Sequence, residues 1–586
     1  MTDSVYDLYP PQVLRDYAMV ADGERGALIG PRGDVAWMCA PRWHDEGVFS
    51  TLIGGTGLFA VTPTAERFVS GGSYSEGSLI WSNRWVTTDG TIECDNALVL
   101  PGDEDRAVLV RRVRALKRDA QVRLLLDVRA GFGRHGMADL HSEDGVWSGS
   151  SGPLNFRLTG APHARRQGEG HLEQLIEVAA DGFHDLVLEV SSRQLPAEAP
   201  GAQYCWSETK AAWQQSVPKL EDTIAGPDAR QSYAVLRGLT SSSGAMVAAA
   251  TTSLPERADE RRNYDYRYAW IRDQCYAGQA VAACGNFPLL DDAVHFISGR
   301  LLEDGINLRP AYTVTGGDVP DEANLDLPGY PGGRDVVGNR ANRQYQLDAF
   351  GESLSLFAAA AGHDRMGLEH WQAADICVDA IAKQWTQPDA GLWELDTRHW
   401  THSKLICAAG LRRLAGHAST ATAARWLSLA DRIVAETSRT SVHPTGYWKR
   451  APDDDRVDAS LLRPPLRGAL AATDPRTTAT IEAVRDSLSS QGYVYRFRQD
   501  DRPLYQAEGA FLLCGFDMAM AVHQQGDTTQ ALRWFERNRA ACGSPGLFTE
   551  EYDIGQRQLR GNFPQAFVHA AMLESAGYLA GSPEPG

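Results

Sequence analysis

Two acidic loops contain the residues best suited to chemistry. In GLWELDTRHWTHSKL (391–405), Glu394 follows a leucine and a tryptophan, an apolar setting that suits a carboxylic acid that donates a proton. In GLFTEEYDIGQRQLRGNFPQAFVHAA (546–571), Glu550 begins a cluster of carboxylates. Neighbouring carboxylates disfavour full ionisation of the cluster, which is one way to adjust the proton affinity of a base. Two carboxylates on opposite sides of a glycosidic bond suffice to hydrolyse it. Each also has a simpler interpretation, because the chain has 75 acidic residues and most acids lie on surfaces or at helix starts.

The separation of two such carboxyl groups decides the stereochemistry of the product. Room for a water molecule, roughly 6.5–9.5 Å, gives inversion, whereas about 5–5.5 Å gives retention. The sequence identifies the residues without fixing that distance.

A third loop mixes aromatic and charged residues as sugar sites do. RRNYDYRYAWIRDQCYAGQA (261–280) alternates tyrosines and Trp270 with charged residues and includes the adjacent Arg272 and Asp273. Aromatic rings stack on the apolar faces of a pyranose, and planar charged groups bind its hydroxyls in pairs. The segment predicts a sugar-binding wall, with a structural Arg–Asp pair at a helix start as the alternative.

The histidines near Glu394 do not predict a metal site. His399 and His402 lie three residues apart and could share a helical face, but no matching third ligand is evident. We expect them to support this loop by hydrogen bonding, and we expect neither a metal nor a cofactor.

The elements that position these loops change character along the chain. The first 200 residues contain short segments rich in β-branched and aromatic residues, such as SLIWSNRWVTT and VRLLLDVRA, separated by Gly, Asp and Pro. They predict an all-β sandwich over residues 1–203. LPAEAPGAQ marks its end, and WSETKAAWQQSV predicts a linker helix within residues 204–228.

Residues 229–586 have a helical pattern instead. Segments such as LDAFGESLSLFAAAAG and QAFVHAAMLESAGYLAG repeat apolar residues at helical spacing, and roughly ten or more helices fit. Many helices without strands imply a bundle, a solenoid or a closed helical barrel. The lack of an evident repeat period disfavours the solenoid.

Composition limits the partners. The 586 residues imply more than one domain, and the net charge of −18 makes nucleic acid a poor partner but does not affect a small neutral carbohydrate. Nine cysteines without a CxxC pair predict a reducing compartment. We see no signal-peptide pattern and no apolar run long enough for a membrane span, so we expect a cytoplasmic protein without membrane contact. Oligomerisation stays open.

Together the motifs resemble glycoside hydrolase family 15, the glucoamylase, glucodextranase and trehalase group. NYDYRYAWIRD, GLWE, THSKL, YVYRFR, AEGAFLLC and TEEYD…GNFPQAFVH follow in the family's order over residues 263–569. The start of the chain, RDYAMVADGERGALIGPRGDVAWMCAPRWHDEGVFSTLIGG, resembles that of the bacterial members. The resemblance implies an N-terminal all-β sandwich domain, supersandwich-like, followed by an all-α (α/α)6-barrel catalytic domain, and the barrel agrees with the helix pattern.

The resemblance also implies roles for individual residues. Glu394 matches the general acid, and Glu550 matches the general base that activates water. Arg272 and Asp273 match the pair that holds the non-reducing glucose. Five further residues match sugar contacts: Tyr266, Trp270, Arg334, Trp393 and Arg496.

One loop departs from the family pattern. In LPGYPGGRDVVGNRANRQYQLD (327–348), Arg334 is kept. Many relatives have a second basic residue at the position that Val337 occupies here. Arg340 and Arg343 follow a few residues later. In the family this loop borders the acceptor side of the site, so the acceptor preference stays open. The donor side, which the change does not touch, is expected to bind glucose.

We therefore predict an inverting exo-α-glucoside hydrolase that releases β-D-glucose from the non-reducing end of small malto- or isomalto-oligosaccharides. An α,α-trehalase of the same family is the close alternative. A non-catalytic sugar-binding protein would lack one carboxylate, and a phosphorylase would need a phosphate pocket in place of the base. Both carboxylates are present, which disfavours these two classes.

Overall fold

Two antiparallel sheets form the first part of the chain. The computed structural model of the protein describes residues 5–168, 170–257, 262–285, 287–499 and 501–581. The strands of the two sheets are β1 Ala18–Ala21, β2 Gly26–Ile29, β3 Asp34–Cys39, β4 Gly47–Phe49, β5 Leu58–Pro63, β6 Phe68–Tyr74, β7 Trp81–Thr87, β8 Thr91–Leu98, β9 Arg106–Leu116, β10 Ala120–Asp127, β11 Ala138–Glu143, β12 Val146–Ser151, β13 Leu154–Thr159, β14 Arg165–Gln167, β15 His171–Val178 and β16 Phe183–Ser191.

The sheets pack face to face as a sandwich. One has the strand order β1-β2-β3-β5-β10-β15-β14 with β4 beside β3, and the other has the order β11-β12-β13-β16-β9-β8-β7-β6. Strand alternation explains the apolar run of β9: Leu109 and Val113 face the core between the sheets, whereas Val108 and Val110 pack on the opposite face with the tryptophans of the first long helix.

Helices dominate the rest of the chain. They are α1 Ala202–Ser216, α2 Gly226–Leu239, α3 Ile271–Ala283, α4 Pro288–Asp304, α5 Asp348–Gly362, α6 Leu368–Gln384, α7 Thr401–Ala415, α8 Thr420–Ser441, α9 Arg463–Leu466, α10 Pro475–Leu488, α11 Leu504–Ala507, α12 Leu512–Gln524, α13 Thr528–Arg539 and α14 Ala566–Leu579. Among the described residues, none of these helices is long and apolar enough to cross a membrane.

Six of the helices form a closed inner ring. Contacts run from α3 to α5, α7, α9, α12 and α14 and back to α3. Nearly every residue of α3, α5, α7, α12 and α14 is buried, whereas α6, α8, α10 and α13 bury one side, as outer helices do. The predicted fold class, a β-sandwich followed by an (α/α)6 barrel, is confirmed. The domain limits at residues 203 and 228 stay predictions.

Short strands also occur in the helical part, where the sequence predicted none. They are β17 Ala269–Trp270, β18 Ala311–Tyr312, β19 Ala323–Asn324, β20 Val336–Val337, β21 Ser489–Ser490, β22 Tyr493–Val494, β23 Ala510–Phe511, β24 Glu551–Asp553 and β25 Gln558–Arg560. Two or three residues are too few to show an alternating pattern, which explains why the sequence did not reveal them.

The sandwich supports the segment that leads into α3. Arg267 is 2 % exposed, forms a two-bonded ion pair with Asp265, and donates to the carbonyl of Asp45 in the sandwich at 2.6 Å. The indole of Trp37 donates to the carbonyl of Ala250 at 2.8 Å. Asp265 and Arg267 therefore join the two parts of the molecule and do not face a sugar, contrary to one interpretation of the alternating motif.

Candidate active site

The inner helices place the three loops singled out in the sequence, 261–280, 391–405 and 546–571, at one end of the barrel. Because an outer helix returns the chain between each inner helix and the next one along the chain, the inner helices run in the same direction. Segments that precede inner helices therefore meet at the same end of the ring. A pocket at that end is lined by Glu256, Arg262, Tyr264, Tyr266, Arg272, Asn339, Arg340, Leu392, Trp393, Glu394, Leu395, Arg496, Glu550 and Phe567.

Glu394 lies in a tight turn before α7. Its backbone is left-handed, with φ of +57°, a conformation that costs energy for a residue other than glycine and is common at functional sites. Gly391 opens the turn at φ of +67°, where any side chain would meet the Trp400 ring. The buried carboxylate of Asp389 accepts hydrogen bonds from the Gly391 amide and the Ser403 hydroxyl, so the turn is anchored to α7.

The Glu394 carboxylate is oriented from α3. The Trp270 Nε1–H donates to Glu394 Oε1 at 2.7 Å, and Arg272 Nη1 lies 3.6 Å from the same oxygen. The Glu394 side chain keeps 23 % of its surface exposed, so it faces the pocket. Proton donation to a leaving oxygen requires a carboxyl group that is fixed in orientation and can be reached by the substrate.

We expect Trp270→Phe to lower kcat about tenfold without unfolding the protein, because it removes one hydrogen bond worth about 1.5 kcal/mol to the carboxylate and keeps an aromatic ring. Steady-state kinetics and the thermal midpoint test this. Trp448→Phe is the matched control, since the buried Trp448 indole has no hydrogen-bond acceptor among the described residues. Equal kcat values for the two variants would contradict the orienting role.

Arg272 and Asp273 form the predicted pair. Arg272 Nε donates to Asp273 Oδ2 at 3.0 Å, and its Nη1 donates to the carbonyl of Leu392 at 2.7 Å. Asp273 is fully buried, and burial raises its pKa while the Arg272 guanidinium opposes that change. Asp273 therefore holds Arg272, and Arg272 presents the charge that lines the pocket.

Glu550 enters the pocket from the segment before α14 and is 6 % exposed. Its Oε2 lies 3.3 Å from the hydroxyl of Tyr266, and that hydroxyl lies 3.3 Å from Oε1 of a third carboxylate, Glu256. Burial first, and the Glu256 charge second, raise the pKa of Glu550 well above its usual range. A carboxylate with raised proton affinity is a better general base at neutral pH.

Arg496 balances part of this negative charge. Its guanidinium donates to Glu508 at 2.8 Å and to Glu551 at 3.4 Å, and it lies over the rings of Trp393 and Phe511. Burial and the Glu256 charge also raise the pKa of Glu551. Glu551 accepts from the Gly509 amide at 2.9 Å, so it supports the site from behind while Glu550 lines it.

The aromatic residues take different positions. Tyr264 and Tyr266 are stacked with ring centroids 6.1 Å apart, and both line the pocket. Trp393 also lines it, but its indole N–H donates to Asp458 at 2.9 Å. Tyr268 is buried behind them.

The 327–348 loop contributes a residue other than the predicted one. Arg334 is exposed and is not among the residues that line the pocket, so its sugar contact stays a prediction. The guanidinium that this loop places at the pocket is that of Arg340, 5.9 Å from the Tyr264 ring centroid. Asp265 holds the loop by accepting from the Gly338 amide at 3.0 Å.

The predicted role of the histidines is not seen for His402. It is buried, neither ring nitrogen has a hydrogen-bond partner among the described residues, and burial lowers its pKa to about 3. Within the same described ranges, no group of three potential ligands is placed to hold a metal ion.

Sequence reasoning missed Glu256, Arg262 and Glu508, and it named Arg340 without assigning it a role. Glu508 lies in AEGAFLLC, one of the motifs that carried the resemblance, and Arg262 lies in the aromatic segment. Glu256 had no comparable signal, because it follows an ordinary SLP turn and gains significance only from its distance to Tyr266.

Comparisons with known proteins identify the family. The family model for Glycosyl hydrolases family 15 matches residues 230–577, and a model for a Trehalase-like, N-terminal domain matches residues 10–200. A protein named trehalase from Mycobacterium tuberculosis is 31 % identical over 97 % of this chain and 89 % of its own length. Trehalase 1 from Sulfolobus acidocaldarius is 28 % identical over 96 % of this chain and 98 % of its own.

A solved structure gives the same fold. A bacterial glucoamylase complexed with acarbose superposes with a TM-score of 0.67 at 13 % identity, covering 98 % of this chain and 95 % of that one. At that identity the likeness concerns the fold alone. The family match over the barrel settles the classification: the chain belongs to family 15 of the glycosyl hydrolases and is a glycoside hydrolase.

Proposed function

We propose that this enzyme hydrolyses α,α-trehalose to two glucose molecules with inversion, using Glu394 as general acid and Glu550 as general base. The observation that carries the choice of substrate is the alignment with proteins named trehalase over 96–97 % of the chain, the N-terminal domain included. This reverses the order of the two alternatives that the motifs left open.

The arrangement of two adjoining pockets supports the assignment of roles. Beside the inner pocket lies an outer one, lined by Arg262, Arg340, Gln344, Glu394, Leu395, Asp396, Arg398, Trp400, Arg450, Asp454, Arg456, Phe497 and Gln499. Glu394 lines both pockets, whereas Glu550 lines only the inner one. A general acid belongs at the boundary between donor and acceptor sugars, where the glycosidic oxygen lies, and a base that activates water belongs on the donor side.

In this mechanism the donor glucose occupies the inner pocket. Water gives a proton to the Glu550 carboxylate while its oxygen bonds to the anomeric carbon from the opposite face. The bond to the leaving oxygen breaks, and Glu394 gives that oxygen a proton. Glu550 ends protonated and Glu394 ends ionised, so one proton must return through solvent before the next turnover.

A glucoamylase-like activity on maltooligosaccharides is the second candidate. It is favoured by Trp400 and Phe497 in the outer pocket, because aromatic rings stack on additional pyranose units. The arginines of the same pocket also suit hydroxyl recognition of a single glucose.

Substrate profiling separates the two candidates. We expect kcat/KM on trehalose to exceed that on maltose, maltotriose and isomaltose by about tenfold or more, since about 1.4 kcal/mol of acceptor contacts gives that ratio. Time-resolved proton NMR is expected to show equal initial amounts of β- and α-glucose from trehalose. Faster cleavage of maltotriose would favour the second candidate, and exclusive release of α-glucose would exclude inversion.

We also propose that the substrate is a small neutral carbohydrate met in the cytoplasm. The net charge of −18 and nine unpaired cysteines, seven of them buried, support this view.

A further inference from the structure

Glu256 is a buried carboxylate that lines the inner pocket and has no part in the acid–base pair proposed above. It is 4 % exposed, and its backbone amide donates to the carbonyl of Arg262 at 3.1 Å. Among the described residues, its Oε2 has no hydrogen-bond partner, and the nearest cationic atom that they contribute, Arg262 Nε, is 3.9 Å away. A buried carboxylate with an unsatisfied oxygen is costly to stability, so its presence needs an explanation.

Glu256 and Glu550 share one donor. The Tyr266 hydroxyl lies 3.3 Å from Glu256 Oε1 and 3.3 Å from Glu550 Oε2. A phenol has a single proton to donate, so it stabilises only one of the two carboxylates at a time. Two carboxylates that both reach one hydroxyl are close enough for the charge of one to raise the proton affinity of the other.

The surrounding charges do not neutralise this pair. Among the described residues, four carboxylates meet here, Glu256, Glu508, Glu550 and Glu551, and they form contacts with the two guanidinium groups of Arg262 and Arg496. Four negative charges minus two positive charges leave two in excess when all are ionised. Arg496 contacts Glu508 and Glu551 directly, and Arg262 lies 3.5 Å from Glu508 and 3.9 Å from Glu256. Within the described part of the chain, Glu550 is the carboxylate of this group that forms no ion pair.

We propose, on the basis of the function proposed above, that Glu256 is a positioning residue that keeps Glu550 a strong base: its carboxylate lies beside Glu550 and competes with it for the Tyr266 hydroxyl. Glu256 neither contacts the leaving group nor takes the proton of the water. It acts through Glu550, whose ability to accept that proton is increased by an adjacent negative charge.

The direction of the effect on pH dependence follows from these contacts. Burial and Glu256 raise the pKa of Glu550, and Arg496 lowers it. The other titratable groups that line the pocket are Arg262, Tyr264, Tyr266, Arg272, Arg340 and Glu394. Activity needs ionised Glu550, so removing the Glu256 charge moves the acid limb of the pH profile to lower pH, whereas removing the Tyr266 hydroxyl moves it to higher pH.

The test compares Glu256→Gln with Glu256→Asp and Tyr266→Phe in the full-length enzyme. kcat and kcat/KM are measured between about pH 4 and pH 9, the range in which a perturbed glutamate titrates. The substrates are trehalose and α-glucosyl fluoride, whose fluoride leaves without a proton and therefore reports the base step. Carboxyl 13C NMR of labelled enzyme gives a readout that does not require turnover.

For Glu256→Gln we expect the acid limb to move down by about one pH unit and kcat on its plateau to fall about tenfold, because a weaker base removes the proton of water less readily. Glu256→Asp keeps the charge, so its limb is expected near the wild-type position. Tyr266→Phe is expected to move the limb upward, and this opposite sign tests the proposal even when Glu256→Gln fails to fold.

An unmoved limb in folded Glu256→Gln, the same shift in Glu256→Asp, or a downward shift in Tyr266→Phe would overturn the proposal. These outcomes are distinct from failure of the proposed function. A wild-type enzyme that cleaves α-glucosyl fluoride but not trehalose would refute the trehalase assignment and leave the Glu256 comparison decisive.

Discussion

Glu550→Gln is expected to lose about 10²–10⁴-fold or more in kcat on trehalose while the folded structure is retained, because the amide is isosteric but cannot accept the proton of water. The backbone carbonyl of Glu550, which accepts from Leu512 at 3.0 Å, is unaffected by the change. The measurement is steady-state glucose release, with circular dichroism to establish folding.

The same variant is expected to be more stable than the wild type at neutral pH. Glu550 has a raised pKa in the folded state, so between its unfolded and folded pKa values the unfolded chain binds fewer protons and the free energy of unfolding falls as pH rises. Glu550→Gln has no carboxyl group at this position, so this fall in the free energy of unfolding does not occur in the variant. The difference in thermal midpoint should therefore shrink as the pH is lowered, and a difference that grows toward acid pH would contradict the assigned direction.

Glu394→Gln separates the two roles. Glu394→Gln and Glu550→Gln should both lose most of their activity on trehalose. On α-glucosyl fluoride, Glu394→Gln should retain much more activity than Glu550→Gln, since the fluoride leaving group needs no acid. Near wild-type turnover of trehalose by either variant would remove the residue from its proposed role.

Part of the candidate site was predictable because its residues are close in sequence. Tyr266, Trp270 and Arg272 lie within seven residues immediately before or at the start of α3, and a helix start places them at one end of the barrel. Their types alone indicate sugar recognition, and the ordered motifs indicate which loops join them.

The carboxylate that tunes the base was not predictable in the same way. Glu256 and Glu550 are separated by 294 positions, and they meet only because the segment before α3 and the segment before α14 flank the seam at which the ring closes. Sequence periodicity identifies apolar faces of helices, but it does not state which inner helices are neighbours. Arg340 was assigned less weight than Arg334 for a related reason, since only the loop's attachment to Asp265 decides which guanidinium faces the pocket.

Arg272→Lys is expected to reduce kcat/KM on trehalose about 10²-fold or more, with an increased KM. The guanidinium makes a hydrogen bond to Asp273, another to the Leu392 carbonyl and a 3.6 Å contact to Glu394, all from one planar group. An ammonium is a point charge without this fork, so it keeps the positive charge but cannot hold the glucose hydroxyls and the Glu394 turn together. Steady-state kinetics and calorimetric titration with glucose measure the two parts of the loss.

Arg463→Lys is the matched control for this change. Arg463 is also a buried arginine of the inner ring, and it pairs with Asp517 at 2.7 Å, but it is not among the residues that line either pocket. Both lysine variants are expected to lower the thermal midpoint, because each leaves a buried aspartate less well paired. Only Arg272→Lys should lose glucose affinity and raise KM. Equal kinetic losses in the two variants would mean that Arg272 acts through the stability of the fold. An unchanged KM in Arg272→Lys would remove Arg272 from the proposed donor site.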